Sequence, residues 1–290
     1  MESLTEIDRL TGSVYLLRDL IQERLGLSLD DDRGQRLIIS RLAGRIKERN
    51  YQSFLEYYYL LMSDDQPAED EWQFVMTALA KSISSFWRHT DPVRTLVDVV
   101  LPQLYAASGK EPLRIWSASC GKGEEPLAIA MALNEAGWFE RTPIEIVASD
   151  ANHAAIECAV QGVYCDERVR HLDTKLRDKY FAQDREGWRV LPELHKLIQW
   201  KVSNLMIPEN VAELAQSQII FCRNVFIYFT GHAICKTLHL FGRFMPAGAY
   251  LFSDSGDFVT TLISESNLFE PLRVSGSDVW TRRDNSTRAW

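Results

Sequence analysis

Apolar residues recur every three or four positions through the first part of the chain, from residue 1 to about residue 90. The pattern is clearest in VYLLRDLIQERLGL, GQRLIISRLAGRIKERN, SFLEYYYLLMS and EWQFVMTALAKSI. Such spacing places apolar side chains on one face of an α-helix. No segment in this region has the alternating pattern of a strand. The sequence therefore predicts an all-helical domain over residues 1–90.

The pattern changes near Leu113, where short apolar runs begin to alternate with helix-like segments. These are LRIWSAS, EEPLAIAMALNEAG, IEIVASD and NHAAIECAVQG. Such alternation is typical of parallel strands joined by helical crossovers, so residues 91–290 are predicted to form a second domain of the α/β class. A charged stretch with WRVLP and LIQWKVSN interrupts the alternation between about residues 166 and 204. We interpret it as a small inserted β hairpin.

The turn after the first predicted strand has an unusual composition. In SASCGKGEEPLAIA, two glycines, Gly121 and Gly123, directly precede Glu124 and Glu125. A phosphate-binding loop presents backbone N–H groups and a Lys followed by Ser or Thr, whereas this turn ends in two carboxylates. The loop lies at the carboxyl end of a parallel strand, where open α/β sheets bind ligands. It favours a ligand with hydroxyl groups or positive charge.

Asp150 ends the next predicted strand, IEIVASD, and an acid there can accept hydrogen bonds from ribose hydroxyls. Two other interpretations stay open at this point. The glycine pair alone is compatible with a simple tight turn, and Asp150 with a helix cap. A full G-x-G-x-x-G fingerprint is absent because position 126 is Pro, which makes NAD a weak candidate.

Two later strand ends bring polar residues to the same predicted edge of the sheet. Asn204 and Leu205 follow LIQWKVS, and Arg223 and Asn224 follow QIIF. Together with SISSFWR, WSASCGKGEEPLAIA, ASD, SNL, IIFCRNVFIYF and MPAGAYLFS, in that order, they make the chain resemble the CheR family of chemotaxis receptor glutamate O-methyltransferases. The N-terminal LGLSLDDDRGQRLIISRLAGRIKERN is similar to the helical domain of that family.

The resemblance implies a Rossmann-like mixed sheet with an N-terminal all-helical domain and a small β insertion. It also implies S-adenosylmethionine (SAM) as cofactor, S-adenosylhomocysteine (SAH) as product, and methyl transfer to receptor glutamates. By position in the matching motifs, Arg88 and Tyr228 are the catalytic candidates that orient the acceptor. The implied cofactor-binding residues are Ser82, Ser84, Arg88, Ser119, Gly121, Glu125, Asp150, Asn204, Leu205, Arg223 and Asn224.

Several positions depart from the family pattern. Ser82 and Ser84 stand where Asn and Thr are usual, Lys122 where small or hydroxyl residues are common, and Ser255-Gly256-Asp257 in place of His-Ser-Glu. A serine hydroxyl offers fewer hydrogen-bonding groups than an asparagine amide. These departures leave an alternative function, in which a degenerate CheR-like protein binds SAM, SAH or a partner as a regulatory module without efficient turnover.

Basic residues are concentrated in one predicted helix, where the span from Arg33 to Arg49 has six basic residues and one acidic residue. Such a run is commonly a solvated face. With the family resemblance, it is interpreted as a surface that docks the helical cytoplasmic part of chemoreceptors, formed by Arg36, Arg41, Arg45 and Arg49. The family binds a receptor pentapeptide through a longer loop than the AQDREG between Phe181 and Trp188, so no pentapeptide tether is expected.

Composition excludes several other classes of function. The net charge of -8 and pI of about 5.4 argue against a general nucleic-acid binder. The six histidines and five cysteines show neither H-E-x-x-H nor C-x-x-C spacing, so no metal site is expected. The N-terminus lacks the pattern of a signal peptide, and no apolar run has the length of a membrane span. These features predict a cytoplasmic protein that is not embedded in a membrane.

Overall fold

The computed structural model describes residues 12–79, 86, 91–108, 111–254, 256–272, 274 and 278–284. Within these ranges the chain divides into two compact units. The helical unit consists of the described residues up to 79 together with residues 228–234. The sheet unit consists of the described residues from 86 to 227 and from 235 to 284.

The helical unit has the helices that the apolar spacing predicts: α1 (Gly12–Leu25), α2 (Asp32–Glu48), α3 (Phe54–Leu61) and α4 (Gln66–Leu79). Two begin at side-chain caps: Asp31 accepts from the backbone N–H of Gly34 at 2.8 Å, and Ser53 from that of Glu56 at 3.1 Å. The apolar faces of the helices meet in one core, which includes Leu17, Ile21, Ile38, Leu42, Phe54, Trp72 and Val75. The predicted all-helical N-terminal region is thereby confirmed.

One charged group lies in the interior of the helical unit. The Glu71 side chain is fully buried, and Arg45 forms two bonds with it, from Nη2 to Oε1 at 2.6 Å and from Nε to Oε2 at 3.0 Å. Arg49 Nε lies 3.1 Å from Oε1, and Tyr57 Oη donates to Oε2 at 2.8 Å. Burial together with the hydrogen bond to Glu71 raises the pKa of Tyr57, so the phenol keeps its proton and remains a donor. We call these four residues the Glu71 cluster.

Two of the arginines predicted to form the docking face belong to the Glu71 cluster. Arg45 and Arg49 form ion pairs with a buried carboxylate of their own unit, and the Arg45 guanidinium also lies over the Phe74 ring at 4.7 Å. Helical spacing alone groups these arginines with Arg41, but a spacing of four cannot reveal an acid on another helix. Arg36 and Arg41 are exposed, Arg49 is 40% exposed beside its ion pair with Glu71, and Arg45 is partly buried, so the predicted docking face remains a prediction.

The sheet unit contains ten strands: β1 (Leu113–Ala118), β2 (Ile144–Asp150), β3 (Val163–Tyr164), β4 (Phe181–Asp184), β5 (Gly187–Val190), β6 (Ile198–Val202), β7 (Ile219–Cys222), β8 (Tyr250–Ser253), β9 (Phe269–Leu272) and β10 (Val279–Arg282). Its longer helices are α5 (Leu101–Ser108), α6 (Glu124–Glu135), α7 (His153–Gln161), α8 (Thr174–Tyr180), α9 (Pro208–Leu214), α10 (Gly231–Phe244), whose first residues belong to the helical unit, and α11 (Asp257–Glu265).

Seven of the strands form one mixed sheet in the order β6-β2-β1-β7-β8-β10-β9. The first five strands, from β6 to β8 in this order, are parallel to one another. Strand β10 is antiparallel to both β8 and β9. The central strands are almost wholly apolar and buried, as expected for a parallel sheet covered by helices. The carboxyl ends of β1, β2, β6, β7 and β8 therefore meet at one edge, and the predicted Rossmann-like mixed sheet is confirmed.

The β insertion is present, but its bounds differ from residues 166–204. The small sheet has three strands in the order β3-β5-β4, so it begins earlier, at Val163. The LIQWKVS run is no part of it: Ile198–Val202 pairs in parallel with β2, from Ile146↔Ile198 to Asp150↔Val202. The sequence analysis was wrong here because both apolar runs follow the same charged stretch, and only strand pairing separates them.

Across the described part of the chain, none of the helices combines the length and the apolar character that crossing a membrane requires.

We predict that the Glu71 cluster stabilises the helical unit. Replacing Glu71 by Ala leaves two arginines and a buried phenol without their shared acceptor, and should lower the free energy of opening of this unit by about 3 kcal/mol. Peptide-resolved hydrogen exchange measures that free energy. The control is Glu69→Ala in the same helix, because Glu69 forms a largely exposed pair with Arg24 at 2.8 Å. Its effect should stay below about 1 kcal/mol, and equal effects of the two changes would contradict the prediction.

Candidate cofactor site

Asp150 is held at the carboxyl end of β2 by backbone groups of two loops. Its Oδ2 accepts from the N–H of Gly121 at 2.8 Å, and its Oδ1 from the N–H of Asn152 at 2.8 Å. The Ser119 hydroxyl lies 3.5 Å from Oδ2. Burial raises the pKa of Asp150, and the backbone hydrogen bonds offset only part of that rise. The predicted acid is therefore present at the sheet edge, in an environment that favours an added positive charge or hydrogen-bond donor.

Glu125 lies in the first turn of α6, after β1. The Ser117 hydroxyl donates to its Oε1 at 2.8 Å, and Nη1 of Arg223 lies 3.6 Å from Oε2. Desolvation raises the pKa of Glu125, Arg223 and Ser117 lower it, and the nearby Asp254 raises it again. The net effect is an increase, so one guanidinium does not compensate for the burial of this carboxylate.

The glycine turn between β1 and α6 brings the backbone close to neighbouring groups. Gly121 has φ +57° and Gly123 φ +95°, and Ser119 adopts the left-handed region at φ +63°. A Cβ on Gly123 would lie 2.7 Å from the Trp200 ring, so both the conformation and the space require glycine there. Non-glycine residues in this region are uncommon and cluster at functional sites.

The segment after β7 is anchored by a buried acid that the sequence analysis did not identify. Asp254 accepts from the backbone N–H groups of Val225 at 3.2 Å and Phe226 at 2.9 Å, and from that of Asn224. These bonds fix Asn224 at φ +59° and place Arg223 beside Glu125. The sequence signal for Asp254 is that it directly follows the apolar run AYLFS, as Asp150 ends IEIVASD.

Asn204 and Leu205 follow β6 at the same edge. Ser203, which precedes them, donates its N–H to the backbone oxygen of Asp150 at 3.0 Å. The Asn204 side chain accepts from the N–H of Met206 at 2.9 Å, while Leu205 is buried. This loop is thus joined to the end of β2, with an apolar side chain next to the polar ones.

The structure brings together most of the residues predicted to bind the cofactor. Those at the ends of β1, β2, β6 and β7 are Ser119, Gly121, Glu125, Asp150, Asn204, Leu205, Arg223 and Asn224. Ser82, Ser84 and Arg88 lie outside the described residues. Tyr228 belongs to the helical unit, where its backbone oxygen accepts from the N–H of Ser28 at 2.7 Å. Its predicted catalytic role remains a prediction.

The charges at this edge suit a cationic, hydroxyl-bearing ligand. Three carboxyl groups, those of Glu125, Asp150 and Asp254, are accompanied by the guanidinium of Arg223 among the described residues of the site. Burial raises the pKa of each of the three acids. SAM carries a sulfonium, an ammonium and two ribose hydroxyls. These acceptors and charges therefore fit the cofactor that the family resemblance implies.

Comparison with known proteins identifies the family. The model of the CheR methyltransferase all-alpha domain matches residues 14–80, and that of the CheR methyltransferase SAM binding domain matches residues 82–269. Chemotaxis protein methyltransferase 2 of Pseudomonas aeruginosa is 34% identical over 250 residues, which are 84% of this chain and 85% of that protein. A chemotaxis protein methyltransferase of Borreliella burgdorferi is 29% identical over 252 residues, 85% of each chain.

A third relative has a different name. The probable biofilm formation methyltransferase WspC of Pseudomonas aeruginosa is 30% identical over 219 residues, which are 75% of this chain and 51% of that protein. The family models cover the helical region and most of the sheet region in the order that the sequence motifs predict. The chain therefore belongs to the CheR methyltransferase family, and it is a SAM-dependent methyltransferase of the chemotaxis type.

Proposed function

We propose that the chain transfers the methyl group of SAM to glutamate side chains of chemoreceptors and forms neutral methyl esters. The observation that carries the proposal is the pair of half-buried acids at the sheet edge, Glu125 and Asp150, beside Arg223, in a chain whose relatives are named chemotaxis protein methyltransferases. Proteins with these names occur in several bacteria. The proposed location is the cytoplasm, where the helical signalling parts of such receptors lie.

Asp150, Glu125 and Arg223 form the cofactor-binding part of the mechanism. SAM, when bound, supplies a methyl group already activated by the positive sulfur. The Asp150 carboxylate, held by Gly121 and Asn152, would accept hydrogen bonds from ribose hydroxyls, as acids at this strand end do in related sheets. Glu125 would offer a negative charge to the cationic groups of the cofactor. Leu205 would provide apolar contact for the adenine.

The acceptor carboxylate requires no general base. An isolated glutamate has a pKa of about 4.3 and is ionised at neutral pH, so it is already a nucleophile. The protein then has to orient the two reactants and exclude water. Because a carboxylate and a sulfonium neutralise each other during transfer, an enclosed site of low polarity favours the reaction. Arg88 and Tyr228 are the residues proposed to orient the acceptor carboxylate.

The receptor is proposed to dock on α2 through Arg36 and Arg41. Both side chains are exposed, whereas Arg45 and Arg49 bind Glu71. Cationic side chains on an otherwise acidic protein attract an acidic helical partner by steering and orientation more than by tight contact. The connection between β4 and β5 is only the two residues Arg185 and Glu186, which supports the expectation that no receptor pentapeptide is bound there.

Replacing Asp150 by Ala should weaken SAM and SAH binding. The expected loss is about 1.5–3 kcal/mol, the range for hydrogen bonds to a charged group. Titration calorimetry with SAH measures this without any methyl acceptor. The matched control is Asp184→Ala, which removes an acid that pairs with Arg189 in the small sheet. Unchanged affinity of the Asp150 variant would contradict the assignment of Asp150 to the cofactor.

The proposed activity is tested with radiolabelled SAM and the chemoreceptors of the same cell. We expect label on receptor glutamates that is released by base, and lost in Arg88→Ala or Tyr228→Phe variants that still bind SAH.

A double change, Arg36→Glu with Arg41→Glu, should slow methylation about tenfold at low salt and less as salt rises. Arg94→Glu with Lys175→Glu gives the same change in net charge at exposed positions of the sheet unit and is the control.

Three outcomes would contradict this account of the function. Label on nucleic acid or on a small molecule would exclude receptor glutamate as the acceptor. Bound SAH without transfer to any receptor would indicate a regulatory module in place of an enzyme. Equal rates for the α2 double variant and its control would exclude Arg36 and Arg41 as the docking surface.

A further inference from the structure

The three-stranded insertion contacts the glycine turn of the cofactor site at two points. The Tyr164 hydroxyl, on β3, donates to the backbone oxygen of Lys122 at 2.8 Å. Arg168 follows β3 in the chain, and its guanidinium forms an ion pair with Glu124. Lys122, Gly123 and Glu124 are consecutive, so the insertion holds the backbone on both sides of Gly123. Glu125 comes next in the chain.

Glu124 depends on Arg168 because of its burial. Its side chain is 2% exposed, and its Oε1 accepts a hydrogen bond from the Arg168 guanidinium. The other oxygen, Oε2, is buried and has no hydrogen-bond partner among the described residues. A buried carboxylate is costly without its counter-ion. The ion pair therefore fixes the position of the first residue of α6.

Adjacent residues of a helix point about 100° apart, because one turn contains about 3.6 residues. Glu124 faces the insertion, while Glu125 faces Ser117 and Arg223. The two acids share one rigid turn of α6, so a displacement of Glu124 also displaces Glu125. The pair of acids in the GEEP motif thus divides into one that anchors the turn and one that faces the cofactor site.

Arg168 also contacts a second segment through its backbone. Its carbonyl oxygen accepts from the N–H of Phe86 at 3.3 Å. Phe86 is fully buried, with its ring edge-on to Tyr164 at 4.9 Å and to Phe181 at 5.3 Å between centroids. Phe86 is part of the SISSFWR motif that includes Ser82, Ser84 and Arg88. One residue of the insertion therefore binds both the glycine turn and this motif.

We propose that Arg168 is a positioning residue for the cofactor site. Its side chain sets the first turn of α6 through Glu124, and its backbone fixes Phe86, so the insertion determines where Glu125 meets the cofactor. The proposal rests on the SAM site and is independent of which group accepts the methyl. It gives the insertion a role in cofactor binding that does not depend on a receptor tail.

The test is calorimetric titration of the full chain with SAH, which separates cofactor binding from methyl transfer. We expect Arg168→Met to weaken SAH binding about tenfold or more, because small displacements of a positioned group are costly. Arg168→Lys keeps the charge and should recover part of the affinity. The matched control is Arg189→Met, since Arg189 lies in the small sheet of the same insertion, pairs with Asp184 and is 48% exposed. The control should bind SAH within about twofold of the unaltered chain, as expected for an exposed pair.

A second variant separates positioning from loss of stability. Arg168→Met leaves Glu124 as a buried, unpaired acid, and this alone can prevent folding. The combined change Glu124→Gln with Arg168→Met removes both charges and should restore the unfolding temperature towards that of the unaltered chain, while SAH binding stays weakened. Wild-type SAH affinity in a folded Arg168→Met variant would overturn the proposal. Recovery of affinity together with stability in the combined variant would overturn it as well.

Discussion

The desolvation of carboxylates at the carboxyl edge of a parallel sheet is the constraint on which the candidate site depends. Asp150 and Glu125 lie where β2 ends and α6 begins, and burial raises the pKa of both despite the hydrogen bonds that they accept. Glu125 and Asp150 are partly shielded from water, and protein cations only partly replace the lost hydration. The glycine turn, the loop after β6 and the segment after β7 all serve to hold them. Binding of a positively charged cofactor would balance the negative charge that the protein's own cations leave unbalanced.

The Glu71 cluster shows the same physics with the opposite result. Glu71 is fully buried, more so than Glu125 or Asp150, but two guanidinium groups and a phenol of its own unit surround it. Its charge is satisfied within the helical unit, which makes it a structural acid. Glu125 has one guanidinium at 3.6 Å and a second acid nearby, which fits the cofactor-binding role proposed for it. The two acids differ both in the number of internal cations and in exposure, since the Glu125 side chain is 21% exposed and that of Glu71 is fully buried.

Much of this could be predicted from sequence because the signals are local. The GKGEEP turn, the acid after IEIVASD and the polar residues after β6 and β7 each lie next to the strand that positions them. The contacts that were missed join distant parts of the chain. Arg45 and Glu71 are 26 positions apart, and Asp254 and Phe226 are 28 apart. The assignment of Ile198–Val202 to the main sheet likewise depends on its pairing with β2, which periodicity does not encode.

If the edge acids have too few internal cations to balance their charge, binding of a cationic cofactor should release protons from them. Because burial raises the pKa of Glu125 and Asp150, each holds its proton to higher pH than an exposed carboxyl group does, and a bound cation lowers the pKa and releases that proton. Calorimetry of SAM binding in buffers of different ionisation enthalpy measures the number of protons released per cofactor bound. We expect proton release that diminishes as the pH rises, that is smaller for SAH, whose sulfur is neutral, and that is reduced in Glu125→Gln. Equal apparent enthalpies in all buffers across the acidic range would show that no proton is released and would rule out this role of the edge acids.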